Sequence, residues 1–398
     1  MRECEHDFGM VWYNALLMSD QKRNVGADAG ASGPVKPVRL ASLDALRGFD
    51  MLFIMGGSGL VCAIAAAFGC DGFRESFGHA AWHGLHFMDI VFPLFLFMAG
   101  VSFPFSLAKS RERGLSDGRI VLKSLKRGLL LVFLGLCCGK LLTFDFSHLR
   151  AWSVLGRIGT AWMVASWLYL AFGVKARLGV AVAILASVTA GTIFITAPGA
   201  PSPVDPFSPE GNIGCWLDRT LTAGHTYKPL FDPEGFAGFL PSVVTAMLGM
   251  FAGDIARRGG VAATSRKALA LFGCGMACLA SGFLLSTVFP VNKALWSPSF
   301  TLVAGGISFA LFALFYWVVD VLGCRRWAFF FTVIGMNSIT IYMAQRIIDF
   351  GFSRDFLFSG LASLFPEAWG AVILQLGYIS VCWLFLFVLY RHKIFLKV

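Results

Sequence analysis

Three histidines and one aspartate lie within eleven residues of this chain, at the start of a long apolar segment. They are His79, His83, His86 and Asp89. Histidine titrates near neutral pH, which suits it to accept or release a proton during catalysis. An ionisable side chain at the centre of a membrane helix costs about 2.5–3.5 kcal/mol on insertion scales, so such side chains usually mark a function. The cluster is therefore a candidate site for proton transfer or for metal binding.

The spacing within the cluster permits two kinds of chemistry. His79 and His83 are four residues apart, so one helical turn would bring them to the same side. With Asp89 they could bind a metal ion, although the sequence lacks the glutamate that accompanies the two histidines of a zinc protease. Alternatively, one histidine acts as a general base and Asp89 orients its ring. A third interpretation is that the histidines are solvated at the membrane surface and have no catalytic or metal-binding role. The residues alone do not decide among the three.

The composition indicates where the cluster must lie. Of the 398 residues, 57% are hydrophobic and only 14% are charged, whereas soluble domains carry about 25% charged residues. Apolar runs of 18 or more residues recur along the chain, and such runs cross a bilayer as helices. They are too long and too continuous for the strands of a membrane barrel. We therefore predict an all-α polytopic membrane protein.

The apolar runs predict about ten transmembrane helices in one domain over residues 39–398. Their expected bounds are 49–68, 86–108, 121–142, 153–172, 178–197, 236–255, 267–289, 299–321, 328–349 and 370–390. Residues 1–38 are polar and lack the apolar core of a signal peptide, which predicts a disordered cytoplasmic extension. The longest connection, 198–235, contains proline, glycine, tryptophan, histidine and acidic residues, and is predicted to cap the bundle.

The basic residues predict the orientation of the bundle. The net charge is +10, but 24 of the 33 lysines and arginines fall on one side of the membrane if the N-terminus is cytoplasmic. This is the positive-inside pattern, so it indicates topology and not a nucleic-acid partner. We expect both termini inside the cell, with the histidine cluster and the 198–235 loop outside.

Other polar residues stand near the ends of predicted spans or within them. Asp232 and Glu234 precede the sixth span, Asn292 and Lys293 precede Trp296, and Asn337 and Ser338 lie inside the ninth. Taken singly they are ordinary, since an amide inside a span more often joins helices and a tryptophan near an interface often anchors the helix. Among the ten cysteines, only Cys70 and Cys215 fall in predicted outer loops, where a disulfide between them is possible.

Taken in order, these blocks resemble the heparan-α-glucosaminide N-acetyltransferase family and its bacterial relatives. The resemblance covers about 39–398, and the residues that carry it are Arg39 to Gly48, His79 to Gly84 with Asp89, Asp232 to Gly235, Pro290 to Ser297, Gly335 to Ser338 and Tyr390 to Phe395. It implies transfer of an acetyl group from cytosolic acetyl-CoA to an amino group of an extracytoplasmic sugar. His79 would be the general base or the acetyl-accepting residue, with Asp89 beside it.

The resemblance also suggests further contacts and properties. Candidate substrate or CoA contacts are Arg47, Ser58, His83, Asp232, Glu234, Asn292, Lys293, Trp296, Asn337 and Ser338; Ser58 stands where the lysosomal member has an asparagine. Arg47 would bind the CoA phosphates together with Lys123, Lys126 and Arg127.

A bacterial-type relative is implied, located in the inner cell membrane, without the lysosomal luminal domain and without a metal. The resemblance favours a homodimer and does not imply heparan sulfate as the acceptor. The residues alone also allow a transporter or flippase for a glycan or lipid precursor.

Overall fold

The computed structural model describes residues 40–200, 203–260 and 262–396, and the predicted extension over 1–38 lies outside them. In these ranges the chain is helical, and its one β feature is an isolated bridge between Thr196 and Asn212. The helices are α1 Ala41–Leu52, α2 Ser58–Ala67, α3 Asp71–Phe77, α4 Phe87–Glu112, α5 Asp117–Cys138, α6 Val154–Ala171, α7 Val174–Phe194, α8 Ile213–Leu221, α9 Phe239–Arg257, α10 Ser265–Leu285, α11 Pro298–Phe315, α12 Ala328–Met336, α13 Ser338–Ile347, α14 Phe350–Ala362 and α15 Glu367–Arg391. The predicted all-α polytopic membrane fold is confirmed.

Each of the ten predicted spans contains a helix, but not all of these helices are equally suited to cross a membrane. Among the described residues, eight are long and apolar enough: α1 continued by α2, α4, α6, α7, α9, α10, α11 and α15. A ninth candidate is the pair α12 and α13, which is bent by 67° at Asn337. Helix α5 falls short because Lys123, Lys126 and Arg127 lie within its length. The estimate of about ten spans therefore depends on including the bent pair and α5.

Helices α4 and α9 form the centre of the bundle, and both are largely buried. Their backbones approach closely at Gly100 and Gly249, where an added Cβ would collide with the opposite helix. Such small-residue contacts are the usual way for membrane helices to pack, since lipid is as apolar as a leucine side chain. The pair fixes the position of the first turn of α4, which carries Asp89.

Helix α1 packs equally closely on α12. A Cβ on Gly48 would collide with the carbonyl oxygen of Phe331, and one on Gly335 with that of Asp44. Beyond this contact the first span is broken by a π-helical turn, Phe53–Gly57, in which Gly56 has a φ of 130°. Only glycine adopts that conformation without strain. The break changes the direction of the span just before Ser58.

Four connections meet at one end of the bundle, which we call the site face: residues 78–86, 139–153, 203–238 and 290–297. They are tied by backbone hydrogen bonds from Gly84 to Val291 and from Ala151 to His225, at 2.8 and 3.1 Å. Helix α1 begins at the other end, the opposite face, where the Asp320 carboxylate accepts the Ala41 and Ser42 amides at 3.2 and 3.3 Å. Which face lies outside the cell stays a prediction.

The long connection over 203–238 is an ordered cap. It contains α8, a helix that the hydropathy pattern does not indicate. An apolar cluster of Cys215, Phe231, Phe289 and Leu295 holds it to the bundle, with Trp82 and Phe207 packed against it. The Trp82 indole also donates to the Phe207 carbonyl at 2.9 Å. Cys215 is buried in this cluster and Cys70 is exposed, and both are free thiols.

The close approach of α1 and α12 can be tested with a single methyl group. We expect Gly335→Ala to lower the thermal midpoint of the purified protein in detergent by several degrees, because overpacking costs about 1–3 kcal/mol. The matched control is Gly179→Ala on α7, where an added Cβ meets no other atom. Equal midpoints for the two variants, read by tryptophan fluorescence, would contradict the backbone contact.

Candidate functional site

The centre of the site is a hydrogen bond between His79 and Asp89. His79 Nδ1 lies 2.8 Å from Asp89 Oδ1. The Asp89 side chain is only 1% exposed, whereas that of His79 is 57% exposed. The other aspartate oxygen, Oδ2, accepts the backbone amides of Ala80 and His86 at 3.1 and 3.0 Å. The carboxylate is therefore buried but fully hydrogen-bonded, and it sits at a helix N-terminus, where negative charge is favoured.

This arrangement assigns the tautomer of His79. An ionised carboxylate only accepts hydrogen bonds, so the proton of the neutral ring must lie on Nδ1. The second ring nitrogen, Nε2, then carries a lone pair. A carboxylate that fixes a ring in this way also stabilises the imidazolium once the ring takes up a proton. His79 thus has the features of a general base.

Lys293 is the third member of this cluster. Its Nζ lies 3.4 Å from Asp89 Oδ1 and 3.0 Å from His79 Nδ1. Because Nδ1 already donates to Asp89, the lysine ammonium pairs with the carboxylate and not with the ring nitrogen. Burial lowers the pKa of Lys293, and the charges of Asp89 and Glu234 partly oppose that shift. The neighbouring Asn292 fixes the lysine's loop, because its Oδ1 accepts the Leu295 amide at 2.9 Å.

Two adjoining cavities meet at this cluster. The inner cavity has a volume of about 360 Å³ and the outer cavity about 650 Å³. Six residues line both: His79, Val154, Glu234, Lys293, Tyr342 and Arg346. The inner cavity continues between the helices to Met51, Phe95 and Ile158, whereas the outer one is lined mainly by residues of the site face. His79 therefore contacts both cavities.

Arg150 joins two carboxylates at the wall of these cavities. Its Nε and Nη2 donate to Asp232 at 3.0 and 2.5 Å, and Nη2 also donates to Glu234. Asp232 additionally accepts the backbone amides of Tyr227 and Glu234, each at 2.9 Å. Burial would lower the pKa of Arg150, but the hydrogen bonds and charges of Asp232 and Glu234 raise it overall. Asp232 thus serves as a fixed anchor, and Glu234 is held at the cavity wall.

Comparison with known proteins identifies the family. The sequence profile described as "Heparan-alpha-glucosaminide N-acetyltransferase, catalytic" matches residues 39–280. This chain belongs to that family. The human heparan-alpha-glucosaminide N-acetyltransferase is 26% identical over 91% of this chain, and the mouse protein is 25% identical over 97%. The chain spans 60% of the length of the human relative and 67% of that of the mouse relative. The predicted resemblance, to a family of acyltransferases, is confirmed.

The structure brings several predicted residues of this acetyltransferase family to the cavities. His79, Glu234 and Lys293 line both, Asp89 lines the outer cavity, and Ser58 and Ser338 line the inner one. Ser58 follows the π-helical turn, and its hydroxyl donates to the Phe53 carbonyl at 2.9 Å.

Other residues predicted to bind substrate lie outside the two cavities and bond to other parts of the protein. Trp296 is fully buried with a φ of 49°, lines neither cavity, and donates to the Thr245 hydroxyl at 3.1 Å. Asn337, at the bend between α12 and α13, donates to the Ile394 carbonyl at 3.1 Å. Asn292 lies 3.3 Å from His83 Nδ1. Burial lowers the pKa of His83, opposed by the charge of Asp205. The binding roles of these residues stay predictions.

Arg47 lies beyond the inner end of the inner cavity. It stands one helical turn before Met51 on α1, and its guanidinium donates to Ser102. Arg127 of α5 is close enough for the two positive charges to interact, and it stacks over Trp162 at 4.4 Å. Lys123 and Lys126 are exposed on α5.

Among the residues that line the site but were not predicted from the sequence are Arg150, Tyr342 and Arg346. Arg150 lies in a connection without a motif, and Tyr342 and Arg346 lie on α13 after the bend. Tyr342 and Arg346 are four residues apart, so helical periodicity predicts that they share one face. It does not predict that this face lies beside His79. In the described ranges, no group of three or more histidine, cysteine, aspartate and glutamate side chains is arranged to hold a metal ion.

The anchor at Arg150 predicts a large effect on stability. Arg150→Met leaves Asp232 buried without its counter-charge, which typically costs about 3–5 kcal/mol. We expect a thermal midpoint in detergent at least several degrees lower, and partial recovery when Asp232→Asn removes the carboxylate as well. The control is Arg354→Met, which breaks an ion pair with the half-exposed Asp355. A similar loss for both arginine variants would contradict the anchor.

The lowered pKa of Lys293 predicts unusual reactivity. A lysine with a lowered pKa loses its proton at lower pH, so its labelling by formaldehyde and cyanoborohydride should reach half-maximum at lower pH than that of the exposed lysines. Asp89→Asn should lower this midpoint further, because Asp89 stabilises the charged form. Peptide mass spectrometry across a pH series measures both effects. A Lys293 midpoint above that of the exposed lysines would refute the assignment.

Proposed function

We propose that this protein is a transmembrane acetyltransferase that moves an acetyl group from acetyl-CoA to the amino group of an extracytoplasmic amino sugar. The observation that carries the proposal is a histidine with a carboxylate-fixed tautomer at the junction of two cavities. Two cavities suit two substrates, and the shared histidine suits the proton transfer between them. Membership of the N-acetyltransferase family supports the type of reaction.

In the proposed reaction, the neutral amine of the sugar attacks the thioester carbonyl of acetyl-CoA. The new C–N bond forms, the C–S bond breaks, and the CoA thiolate leaves. His79 Nε2 takes the proton that the amine nitrogen loses and returns it to the thiolate, which gives the amide and CoA with a free thiol. Asp89 stabilises the transient imidazolium, and such acid–base catalysis contributes about 10²- to 10⁴-fold. Lys293 supplies positive charge for the oxyanion of the tetrahedral intermediate.

We favour direct transfer over an acetyl-histidine intermediate. A residue that contacts both cavities can act while both substrates are bound, and no covalent step is then required. Direct transfer predicts sequential kinetics, whereas a covalent intermediate predicts ping-pong kinetics. Initial rates measured over a grid of both substrate concentrations separate the two.

The donor enters from the opposite face in this proposal. The excess of basic residues there supports its assignment to the cytoplasmic side, where acetyl-CoA is made. Arg47 and Arg127 would bind CoA phosphates near the inner end of the inner cavity, with Lys123 and Lys126 at the surface of α5. The thioester arm would extend through the inner cavity towards His79. No observation favours the transporter or flippase, and transfer of labelled acetyl by the purified protein would exclude a role limited to transport.

The proposal predicts a specific loss in one histidine variant. His79→Ala should reduce acetyl transfer by about 10²-fold or more, because it removes the base, while acetyl-CoA binding by titration calorimetry stays within a factor of a few. The control is His392→Ala, an exposed ring just after α15 that should retain most of the activity. Near-normal turnover by the His79 variant would overturn the assignment.

A further inference from the structure

We infer that Glu234 is the residue that recognises the amino group of the acceptor. This inference rests on the proposed function and adds to it the group that selects an amine over a hydroxyl at the same position of the sugar. It follows from which carboxylate oxygens beside the two cavities already have hydrogen-bond partners.

Glu234 is held in place through only one of its two carboxylate oxygens. Its side chain is 10% exposed, and it lines both cavities together with His79. One oxygen, Oε2, accepts a hydrogen bond from Arg150. The other, Oε1, accepts none from the described residues and is not sealed from the cavities. A carboxylate oxygen accepts hydrogen bonds only, so Oε1 calls for a donor.

The two carboxylates bonded to His79 and to Arg150 beside Glu234, those of Asp89 and Asp232, are fully hydrogen-bonded. Asp89 bonds His79 through Oδ1, has Lys293 beside that oxygen, and accepts two backbone amides through Oδ2. Asp232 is buried, with both oxygens bonded by Arg150 and by backbone amides. Among the described residues that line the two cavities, Glu234 therefore carries the carboxylate oxygen that is available to a ligand.

The available oxygen matches the chemistry of an amine. An amino sugar reaches the site largely as an ammonium ion, and an ammonium donates strong, charge-assisted hydrogen bonds to a carboxylate. A hydroxyl at the same position donates one weaker bond. The bound ammonium must lose one proton to solvent before the nitrogen can attack, and the positive charge of Lys293, which interacts with Glu234, favours that loss. Glu234 thus selects the amine, and His79 accepts the second proton, which the nitrogen loses as the C–N bond forms.

The test compares two ligands that differ only at this position. Methyl α-glucosaminide and methyl α-glucoside are titrated into purified protein in nanodiscs at neutral pH, without acetyl-CoA. The wild type should bind the amine more tightly than the alcohol. Glu234→Gln should weaken binding of the amine by about 10-fold or more, leave the alcohol within about twofold, and so remove the preference. Glu210→Gln, an exposed position in the same connection, is the control and should keep it.

Several results would overturn the inference. They are a wild type that does not prefer the amine, a Glu234→Gln variant that keeps the preference, or an equal loss of both ligands, which indicates a structural role only. If the glutamine variant does not fold, Glu234→Asp replaces it, and its shorter side chain should reduce the preference without loss of the alcohol. The binding assay needs no turnover, so a protein that binds the amine through Glu234 but transfers no acetyl group would refute the proposed function and not this inference.

Discussion

The site depends on one buried carboxylate. Asp89, in the first turn of α4, is held by two backbone amides, by His79 and by Lys293. Helix α4 is packed backbone to backbone against α9 further along its length, so Asp89 lies on a helix at the centre of the bundle. A buried charge is tolerated only when it is fully paired, so the loops that carry His79 and Lys293 are bound to the position of Asp89. The hydrogen bonds and charge pairs of Asp89 therefore both stabilise the fold and fix the orientation of the His79 ring.

The remaining connections of the site face are fixed by a second buried charge. Asp232 binds Arg150 and two backbone amides, which joins the connection between α5 and α6 to the cap. Glu234 shares the same arginine, so a single guanidinium both anchors the cap and orients a carboxylate at the cavities. Removal of Arg150 would leave two carboxylates without their counter-charge. Removal of Glu234 alone leaves the hydrogen bonds between Arg150 and Asp232 intact. For this reason a recognition role for Glu234 can be separated from a structural one.

The sequence was sufficient for the membrane-spanning helices and for the pairing of His79 with Asp89, but not for the walls of the site. Hydropathy finds the spans because lipid requires long apolar helices, and the motif around His79 predicts its pairing with Asp89. Trp296 belongs to one of the motifs that carry the resemblance, but it is fully buried. A motif can mark a residue needed for packing as well as one needed for catalysis. Arg346 and Arg150 escape prediction because their location depends on the bend at Asn337 and on the folded cap. No local pattern encodes contacts between segments so far apart in sequence.

Two broken spans border the inner cavity. The first span changes direction at the π-helical turn before Ser58, and the α12–α13 pair bends by 67° just before Ser338. Both serines line the inner cavity. Interrupted backbone inside a membrane is tolerated only where it is buried in protein or borders a water-filled space, because lipid offers no hydrogen bonds. The breaks therefore lie where the protein borders the space beside His79 and not where it faces lipid.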